Sequence, residues 1–270
     1  MTACLIAIAP NGARKTRQDH ANIPLTAEEL GETAKACMEA GAGMIHLHVR
    51  DEQQGHSLSV ARYKQAMQQV ASTTQGDLFV QLTSEAVGIY SPQEQFAMIH
   101  ALKPEGVSIG LREIWSLDDD EIKQHFEVMK RNSVRPQLIL YNAHDVGVYV
   151  DWLERGVLPG KAYPVLLVVG KPQKEGMFEK EGIQKEWLET LPVTSWMVCA
   201  FGQQEFSVGC LAAKEGGHVR LGFENNDCLE NGERAEDNAA LVTQMVEYLR
   251  EEGIETASGE VARRLMRPDW

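Results

Sequence analysis

The sequence predicts a (β/α)₈ barrel, a closed ring of eight parallel strands surrounded by helices. Short apolar runs alternate with longer amphipathic stretches along the whole chain, which is typical of a parallel sheet. The chain has 270 residues, of which 43% are hydrophobic, and this matches the usual length and core content of one barrel. No GxGxxG follows the first apolar run and no Walker A sequence occurs, which disfavours a nucleotide-binding open sheet. We therefore predict one barrel domain over residues 1–270 with a short C-terminal helical extension.

The predicted strands are short, and several are rich in Val, Ile and Leu without polar alternation. Strands that are buried on both faces have this composition. In chain order, the predicted strands are residues 5–9, 44–49, 78–82, 106–109, 137–141, 165–169, 195–199 and 219–221.

Helix signals lie between and after these strands. Thr26 and Glu29 form one capping box, and Ser91 and Glu94 form another, with a proline at its first helical position. Apolar residues at spacing four predict a long helix over 238–250. The tail, 257–270, resembles a short terminal helix whose apolar side chains could cover the barrel or a neighbouring subunit; these are Val261, Leu265, Met266 and Trp270.

Composition excludes several classes of protein. A formal net charge of −13 disfavours binding to nucleic-acid backbones and anionic membranes. The five cysteines are scattered without a CxxC pair, which argues against a disulfide framework and favours a reducing, cytoplasmic location. The first apolar run is short and leads into Pro10-Asn11-Gly12, so it reads as a strand and not as a signal peptide. No apolar run is long enough for a membrane helix. We expect a homo-oligomer, either a dimer or a tetramer.

The strongest local signal is a pair of histidines at the end of the second predicted strand. His46 and His48 are two residues apart, and side chains at this spacing on a strand point to the same face. Neutral imidazole is a good zinc ligand. The competing interpretation is two histidines that pack near the strand end and form local hydrogen bonds.

The last predicted strand leads to an arginine and a glutamate. Strand eight of a closed barrel lies beside strand one, so Glu224 could reach an ion that is held by His46 and His48. Two His and one Glu leave an open zinc position for substrate. Arg220 has the planar fork that binds a carboxylate through two hydrogen bonds. Alternatively, Glu224 lies at the surface and Arg220 only pairs with it.

Further polar candidates follow other strands. Thr83, Ser84 and Ser108 carry hydroxyls that could hold a substrate oxygen, although Ser and Thr are common at strand ends. Asn11 and Arg14 follow the first strand and complete the ring of candidates. In a barrel enzyme, the carboxyl ends of the strands carry the chemistry.

Together these motifs resemble the β-keto acid cleavage enzyme family, and the resemblance covers essentially the whole chain. It is carried by residues 9–16, 23–30, 40–42, the HLHVRD stretch at 46–51, 81–84, 165–170, 217–225 and 238.

The resemblance implies an enzyme that condenses a β-keto acid with acetyl-CoA and releases acetoacetate and a new acyl-CoA. It implies a (β/α)₈ barrel with one zinc ion on His46, His48 and Glu224. It assigns the substrate-carboxylate role to Arg220, and the active-site hydroxyls to Ser84 and Ser108. The implied reaction is a retro-Claisen cleavage in which zinc acts as a Lewis acid on the keto oxygen.

Two positions depart from the aminohexanoate-cleaving type of this family. That type has an acidic residue after the zinc-binding glutamate, and here Asn225 cannot act as a base. We therefore expect the base to be Glu85, Asp227 or the substrate itself, and we assign Asn225 to substrate binding. That type also has a glutamate that meets the substrate amine, and here the position is Arg14.

The charge reversal at Arg14 predicts a substrate whose far end is neutral or anionic. The competing interpretation is that Arg14 pairs with Glu85 or Glu113 and does not read the substrate. Two other functions remain open from the sequence. One is a zinc hydrolase barrel of the amidohydrolase type, although His144 is the one suitably placed later histidine. The other is a non-catalytic barrel that senses a keto acid or an acyl-CoA.

Overall fold

The computed structural model describes residues 3–170, 188 and 191–270 of the chain. Its strands, numbered in chain order, are β1 (Ile6–Ile8), β2 (Met44–Leu47), β3 (Val49–Arg50), β4 (His56–Ser57), β5 (Phe79–Thr83), β6 (Gly106–Gly110), β7 (Arg135–Leu140), β8 (Tyr163–Val169), β9 (Val193–Ala200) and β10 (His218–Leu221).

Eight of these strands pair in parallel and close into a barrel in the order β1-β10-β9-β8-β7-β6-β5-β2. The short strands β3 and β4 form a separate antiparallel pair after β2. Strands β1, β2, β5, β6, β8 and β10 are buried at every residue, as their apolar composition predicts. Each strand predicted from the sequence overlaps one strand of the ring, so the predicted (β/α)₈ barrel is confirmed.

Helices lie between the strands and after them. Those in the described residues are α1 (Ala27–Ala40), α2 (Val60–Thr73), α3 (Pro92–Leu102), α4 (Asp119–Arg131), α5 (Ala143–Glu154), α6 (Glu205–Lys214), α7 (Asn238–Glu251) and α8 (Gly259–Leu265). Both predicted capping boxes are present, at the starts of α1 and α3. None of the described helices combines the length and the apolar character that crossing a membrane requires.

The last helix, α8, packs on the barrel end where the strands begin. Ala262 and Met266 are fully buried in one apolar cluster with interior side chains that include Leu5, Met44 and Phe79. Ser195 of β9 donates a hydrogen bond of 2.8 Å to the carbonyl of Leu265. The predicted tail helix therefore covers the barrel of its own chain.

Polar contacts hold α8 in place as well. Arg263 donates to both carboxylate oxygens of Glu105, at 2.9 and 3.3 Å, and to the carbonyls of Gly76 and Leu78. Glu105 in turn accepts a hydrogen bond of 2.7 Å from the backbone amide of Val80. The amino end of the barrel is thus closed by side chains with matched partners, and the opposite, carboxyl end is left for function.

Candidate active site

The two histidines of the HxH motif meet inside the carboxyl end of the barrel. His46 lies on β2 and His48 is the next residue but one, and both side chains are almost fully buried. Their Nε2 atoms lie 3.2 Å apart. Ligand atoms that bind one zinc ion at 2.0–2.1 Å in a tetrahedron lie about 3.3 Å from one another. The separation of the two nitrogens therefore suits a shared ion.

A relay of two amides sets the protonation of His46. Gln137 on β7 donates from Nε2 to the carbonyl of Val165 at 3.4 Å, and a carbonyl can only accept. The Oε1 atom of Gln137 therefore faces Gln81, which donates to it at 2.9 Å. The Oε1 atom of Gln81 is then left to accept from Nδ1 of His46 at 2.8 Å. With its proton on Nδ1, His46 directs the lone pair of Nε2 toward His48, as a metal ligand requires.

Glu224 completes the cluster from the loop after β10. Its Oε2 atom lies 3.3 Å from Nε2 of His48 and 3.8 Å from Nε2 of His46. The backbone amide of Glu224 donates to the carbonyl of Ala9 at 3.1 Å, which ties the loop to β1. Gly12 packs closely against the same side chain, because a Cβ atom at position 12 would lie 2.6 Å from Cγ of Glu224. The first loop and the last loop of the barrel therefore hold this carboxylate together.

The charge states suit a divalent cation. Burial, reinforced by the charge of Arg220, holds the pKa of His46 well below its ordinary value, so the imidazole is neutral. Burial alone would raise the pKa of Glu224, but Arg220 and His48 outweigh it and hold this pKa well below the ordinary value. The three side chains form the one cluster of metal-ligating groups found in the described residues. Two imidazoles and one carboxylate fit zinc, and they leave its fourth position open.

Arg220 lies on β10 beside this cluster and is 3% exposed. Its Nη2 atom donates to Oε1 of Glu224 at 3.1 Å and to the sulfur of Cys199 at 3.4 Å. No described group accepts a hydrogen bond from its Nε or Nη1. Burial would lower the pKa of Arg220, but Cys199 and Glu224 raise it, so the guanidinium stays charged. Buried donors without an acceptor are costly, and they mark a place where a ligand's acceptor atoms fit.

A small cavity opens between these groups and the rim of the barrel. Hydroxyls of Thr83 and Ser108 line it, and the Ser108 hydroxyl has no partner in the described part of the chain. Its other lining residues are His46, Glu85, Gly110, Glu113, Ile139, Tyr141, Val168, Phe201, Arg220 and Glu224. The cavity thus combines two of the candidate metal ligands, His46 and Glu224, with the arginine, a hydroxyl and apolar walls.

Three predicted site residues are buried but do not line this cavity. Ser84 donates its hydroxyl to the carbonyl of Ser108 at 2.9 Å. Asn11 donates to the carbonyls of Pro24 and His48, at 2.9 and 3.1 Å, and so fixes the first loop against the end of β2. Asn225 donates to the carbonyl of Arg220 at 3.4 Å. These contacts are with the protein's own backbone.

Arg14 forms the contact that the competing interpretation of the sequence expects. Its Nη1 atom lies 3.3 Å from Oε1 of Glu85, and 62% of its side chain is exposed. Glu85 lines the cavity and Arg14 does not. Asp227, the other candidate base, pairs with Arg234 at 3.1 Å and is absent from the lining.

Sequence reasoning missed part of this site. The relay role of Gln81 and Gln137 was not predicted, because the two residues are 56 positions apart and meet only through strand register. Glu113 was considered only as a partner for Arg14, whereas its carboxylate accepts from the amide of Ala86 and from Gln95. The one available signal was polarity, since Gln81 and Gln137 interrupt otherwise apolar strands.

His144 does not support the hydrolase alternative. Its ring lies edge-on to Trp115, with the ring centres 5.2 Å apart. It is absent from the metal-ligating cluster of the described residues.

The chain is similar to known proteins over nearly its whole length. Residues 3–267 match the family model described as beta-keto acid cleavage enzyme. The chain is 27% identical to the 3-keto-5-aminohexanoate cleavage enzyme of Acetoanaerobium sticklandii, with 98% of each chain covered. It is 24% identical to the 3-oxoadipate:acetyl-CoA acetyltransferase of Cupriavidus necator, covering 97% of this chain and 94% of that protein.

Among solved structures, the barrel is similar to that in the apo structure of ObcA, with a TM-score of 0.73 at 17% identity. The match covers 92% of this chain and 66% of that chain, so the present chain spans about two thirds of its length. At this identity the likeness shows a shared fold.

Proposed function

The chain belongs to the β-keto acid cleavage enzyme family, and we propose that it is a zinc-dependent member that condenses a β-keto acid with acetyl-CoA. The products would be acetoacetate and a new acyl-CoA. One observation carries this proposal: two nitrogens of Arg220 that have no described partner, Nε and Nη1, lie beside the cluster of His46, His48 and Glu224. A carboxylate and a neighbouring keto oxygen are the groups that such a site would bind.

The metal would be held by His46, His48 and Glu224, whose ligand atoms all lie within 4.8 Å of one another. When bound there, zinc supplies a Lewis acid for the keto oxygen of the substrate. Arg220 is the proposed donor to the substrate carboxylate, because its charged guanidinium keeps Nε and Nη1 without an acceptor among the described residues. This fixes the carbon between the two carbonyls at one place in the cavity.

Proton removal from that carbon starts the reaction. Glu85, which lines the cavity, is the proposed acceptor of the proton, while Asn225 cannot accept one. The electron pair of the broken C–H bond forms the enolate, and the Ser108 hydroxyl is a donor for its developing negative charge.

The enolate carbon then forms a bond to the acetyl carbon of acetyl-CoA, and the CoA thiolate leaves. The thiolate attacks the original keto carbon of the substrate. The carbon–carbon bond breaks, a proton returns to the released enolate, and acetoacetate and the new acyl-CoA are the products. Ile139, Val168 and Phe201 line the cavity with apolar surface that excludes water from the enolate.

The far end of the substrate differs among the substrates named for the relatives. By their names, relatives act on substrates with an amine, a second carboxylate or a trimethylammonium group. In this chain Arg14 pairs with Glu85 at the rim and offsets its negative charge. We therefore propose a far end that is neutral or anionic.

A screen of β-keto acids with acetyl-CoA tests the function directly. We expect acetoacetate and acyl-CoA to form in equal amounts with at least one acid, and activity to be lost with a chelator and restored by zinc. Zinc binding without turnover of any acid would favour a sensing barrel, and hydrolysis without transfer to CoA would favour a hydrolase. Light scattering of the same preparation would check the expected homo-oligomer.

A further inference from the structure

A tyrosine that has no role in the mechanism above lines the cavity. Tyr141 directly follows β7 and is 7% exposed. Ile139 lies two residues earlier, and side chains at this spacing point to the same face. Both side chains belong to one apolar cluster inside the barrel, and both line the cavity together with Val168 and Phe201. Tyr141 therefore adds a phenol to the apolar wall of the cavity.

The order of the strands places Tyr141 opposite the candidate metal ligands. In the closed ring, β7 is four strands from β1 in both directions. His46 lies on β2 and Glu224 lies in the loop after β10, and these two strands are the neighbours of β1. A β-keto acid that is bound at His46, His48 and Glu224 therefore leaves the β7 side of the cavity for the acetyl group of acetyl-CoA.

A fully buried carboxylate fixes this tyrosine. The Oδ2 atom of Asp145 accepts from the backbone amide of Tyr141 at 2.7 Å and from Nη2 of Arg112 at 2.8 Å. The guanidinium carbon of Arg112 in turn lies 4.3 Å from the centre of the Tyr141 ring, a distance at which a cation is attracted to the ring face. Asp145 itself is held at the start of α5, where its amide donates to Oδ1 of Asn142 at 3.1 Å. One carboxylate therefore holds both the backbone of Tyr141 and the cation that packs on its ring.

The hydroxyl of Tyr141 is a hydrogen-bond donor. Burial raises the pKa of Tyr141, and the charges of Glu113 and Glu85 raise it further, so the phenol keeps its proton. A protonated phenol has one O–H group to donate. A donor that is fixed in advance in a buried wall stabilises negative charge that develops on a nearby oxygen.

The proposed reaction places negative charge on oxygen twice. The first oxyanion is the enolate, for which Ser108 is the proposed donor. The second forms when the enolate carbon adds to the acetyl carbonyl, because the π electrons of that carbonyl move to its oxygen. They return to the carbonyl when the carbon–sulfur bond breaks and the CoA thiolate leaves. In the mechanism above, no residue donates to this second oxyanion, which forms on the side of the cavity where Tyr141 lies.

We propose that Tyr141 is a further catalytic residue, whose hydroxyl donates a hydrogen bond to the acetyl carbonyl oxygen as the second oxyanion forms. The inference rests on the proposed function, because it needs acetyl-CoA as the partner of the enolate. Tyr141 neither gains nor loses a proton in this step. It should therefore be needed for formation of the new carbon–carbon bond and not for removal of the proton from the β-keto acid.

The test uses Tyr141→Phe, which keeps the ring and removes the hydroxyl, and measures two rates on the zinc-loaded protein. Acetoacetate formation from acetyl-CoA and the best acid of the screen reports the whole reaction. Exchange of the α-protons of that acid with D₂O, followed by proton NMR above the rate without enzyme, reports proton removal alone. S-ethyl-CoA is added to the exchange reaction, because this thioether fills the acetyl-CoA site without a carbonyl to attack.

We expect kcat for acetoacetate formation to fall about 100- to 1,000-fold in Tyr141→Phe, as for the loss of one oxyanion donor. The exchange rate should stay within about threefold of wild type, because the hydroxyl acts only in the later transition state. Zinc content should not change, since Tyr141 lies on the opposite side of the barrel from the metal ligands.

Tyr163→Phe is the matched control. It also removes the hydroxyl of a fully buried tyrosine, but at the start of β8, where that hydroxyl donates to the carbonyl of Pro159 at 2.5 Å. Loss of a buried hydrogen bond should lower Tm. Both rates of this control should stay near wild type.

The outcomes separate the possible explanations. A kcat near wild type in Tyr141→Phe overturns the inference. An equal fall in exchange and in acetoacetate formation overturns it as well, since Tyr141 would then act before acetyl transfer. The same separation of the two rates in Tyr163→Phe would also overturn it. If the wild-type protein forms no acetoacetate with any acid, the proposed function is wrong instead.

Discussion

The two ends of the barrel satisfy their buried polar groups very differently. At the amino end, Arg263 donates to Glu105 and to two backbone carbonyls, and Ser195 donates to Leu265. At the carboxyl end, Arg220, Ser108 and Glu224 keep buried atoms without a hydrogen-bond partner in the described residues.

Every such buried side-chain atom recorded in the described residues lies on the carboxyl side of the barrel, at a strand end, in a loop or at a helix start. An unpaired buried donor or acceptor costs about 1–3 kcal/mol. The paired polar groups at the amino end therefore favour stability. The unpaired groups at the carboxyl end lower stability, and we attribute them to function. Changes at the carboxyl end should remove activity and spare the fold, and changes at the amino end should do the reverse.

The largest expected effect is loss of the metal ligands. The double variant His46→Ala, His48→Ala should lose most bound zinc, and kcat/KM should fall at least roughly a thousandfold, since a Lewis acid contributes several kcal/mol to such a reaction. Metal analysis measures the bound zinc, an enzyme assay measures kcat/KM, and circular dichroism checks that the barrel stays folded. Full zinc occupancy in the double variant would sink the ligand assignment.

Arg220→Lys comes next, because it keeps the charge and loses the two-pronged donor. We expect kcat/KM to fall by about a hundredfold or more with zinc content unchanged, measured with the best acid from the screen. If kcat/KM stays near the wild-type value, Arg220 serves the structure alone.

Breaking the amide relay should weaken the metal site without touching a ligand. Gln81→Leu removes the acceptor for Nδ1 of His46, and zinc affinity should fall about 10- to 100-fold. Gln137→Leu changes a residue one hydrogen bond further from the metal. It is the matched comparison and should lower zinc affinity less than Gln81→Leu does. Equal zinc affinity in all three proteins would contradict a role for the relay.

Gly259→Ala tests the amino end. A Cβ atom at this position would lie 1.8 Å from the carbonyl oxygen of Asp77, so α8 must move away from the barrel. We expect a loss of about 1–3 kcal/mol in the free energy of unfolding. Tm should fall by about 2–4 °C for each kcal/mol, while kcat/KM and zinc content at 25 °C stay near wild type. A Gly259→Ala variant with wild-type stability and low activity would contradict the expectation that changes at the amino end lower stability and spare activity.

Arg14→Glu should have the smallest effect, since Arg14 is an exposed partner of Glu85. Reversing its charge leaves Glu85 uncompensated and adds a second negative charge beside it, so relative kcat/KM should shift toward cationic substrates by up to about fivefold, as expected for an exposed pair. A substrate panel with wild-type and Arg14→Gln proteins gives the comparison. An unchanged ranking, or wild-type preference for the amino-substituted acid, would contradict the charge argument.

The sequence allowed prediction of the barrel and of the residues at its last strand, but not of contacts that depend on register. Apolar runs and capping boxes are local signals, so the strands and helix starts followed from them. His46, His48 and Glu224 were predicted to converge, because strand order in a closed barrel brings the first and last strands together.

Thr83 and Ser84 show the limit of such reasoning. Thr83 lines the cavity and pairs in register with Ser108, whereas the Ser84 hydroxyl binds a backbone carbonyl. Neighbouring residues on a strand point to opposite faces, and only the register tells which one faces inward. Glu205, the first residue of α6, accepts hydrogen bonds from Gly222 and Asn226. These contacts could not be predicted either, since they depend on how the helix packs against the loop after β10.

The packing of α8 on the amino end of the barrel has a consequence for the nascent chain. Leu5 shares its buried cluster with Ala262 and Met266, which lie 257 and 261 positions later in the chain. At typical translation rates, roughly 10 to 50 seconds separate their synthesis. During that time, the apolar interior at the start of the barrel has no cover of its own. A chain truncated before Gly259 lacks α8 and keeps this surface open, so chaperones and proteases can recognise the exposed interior of its barrel.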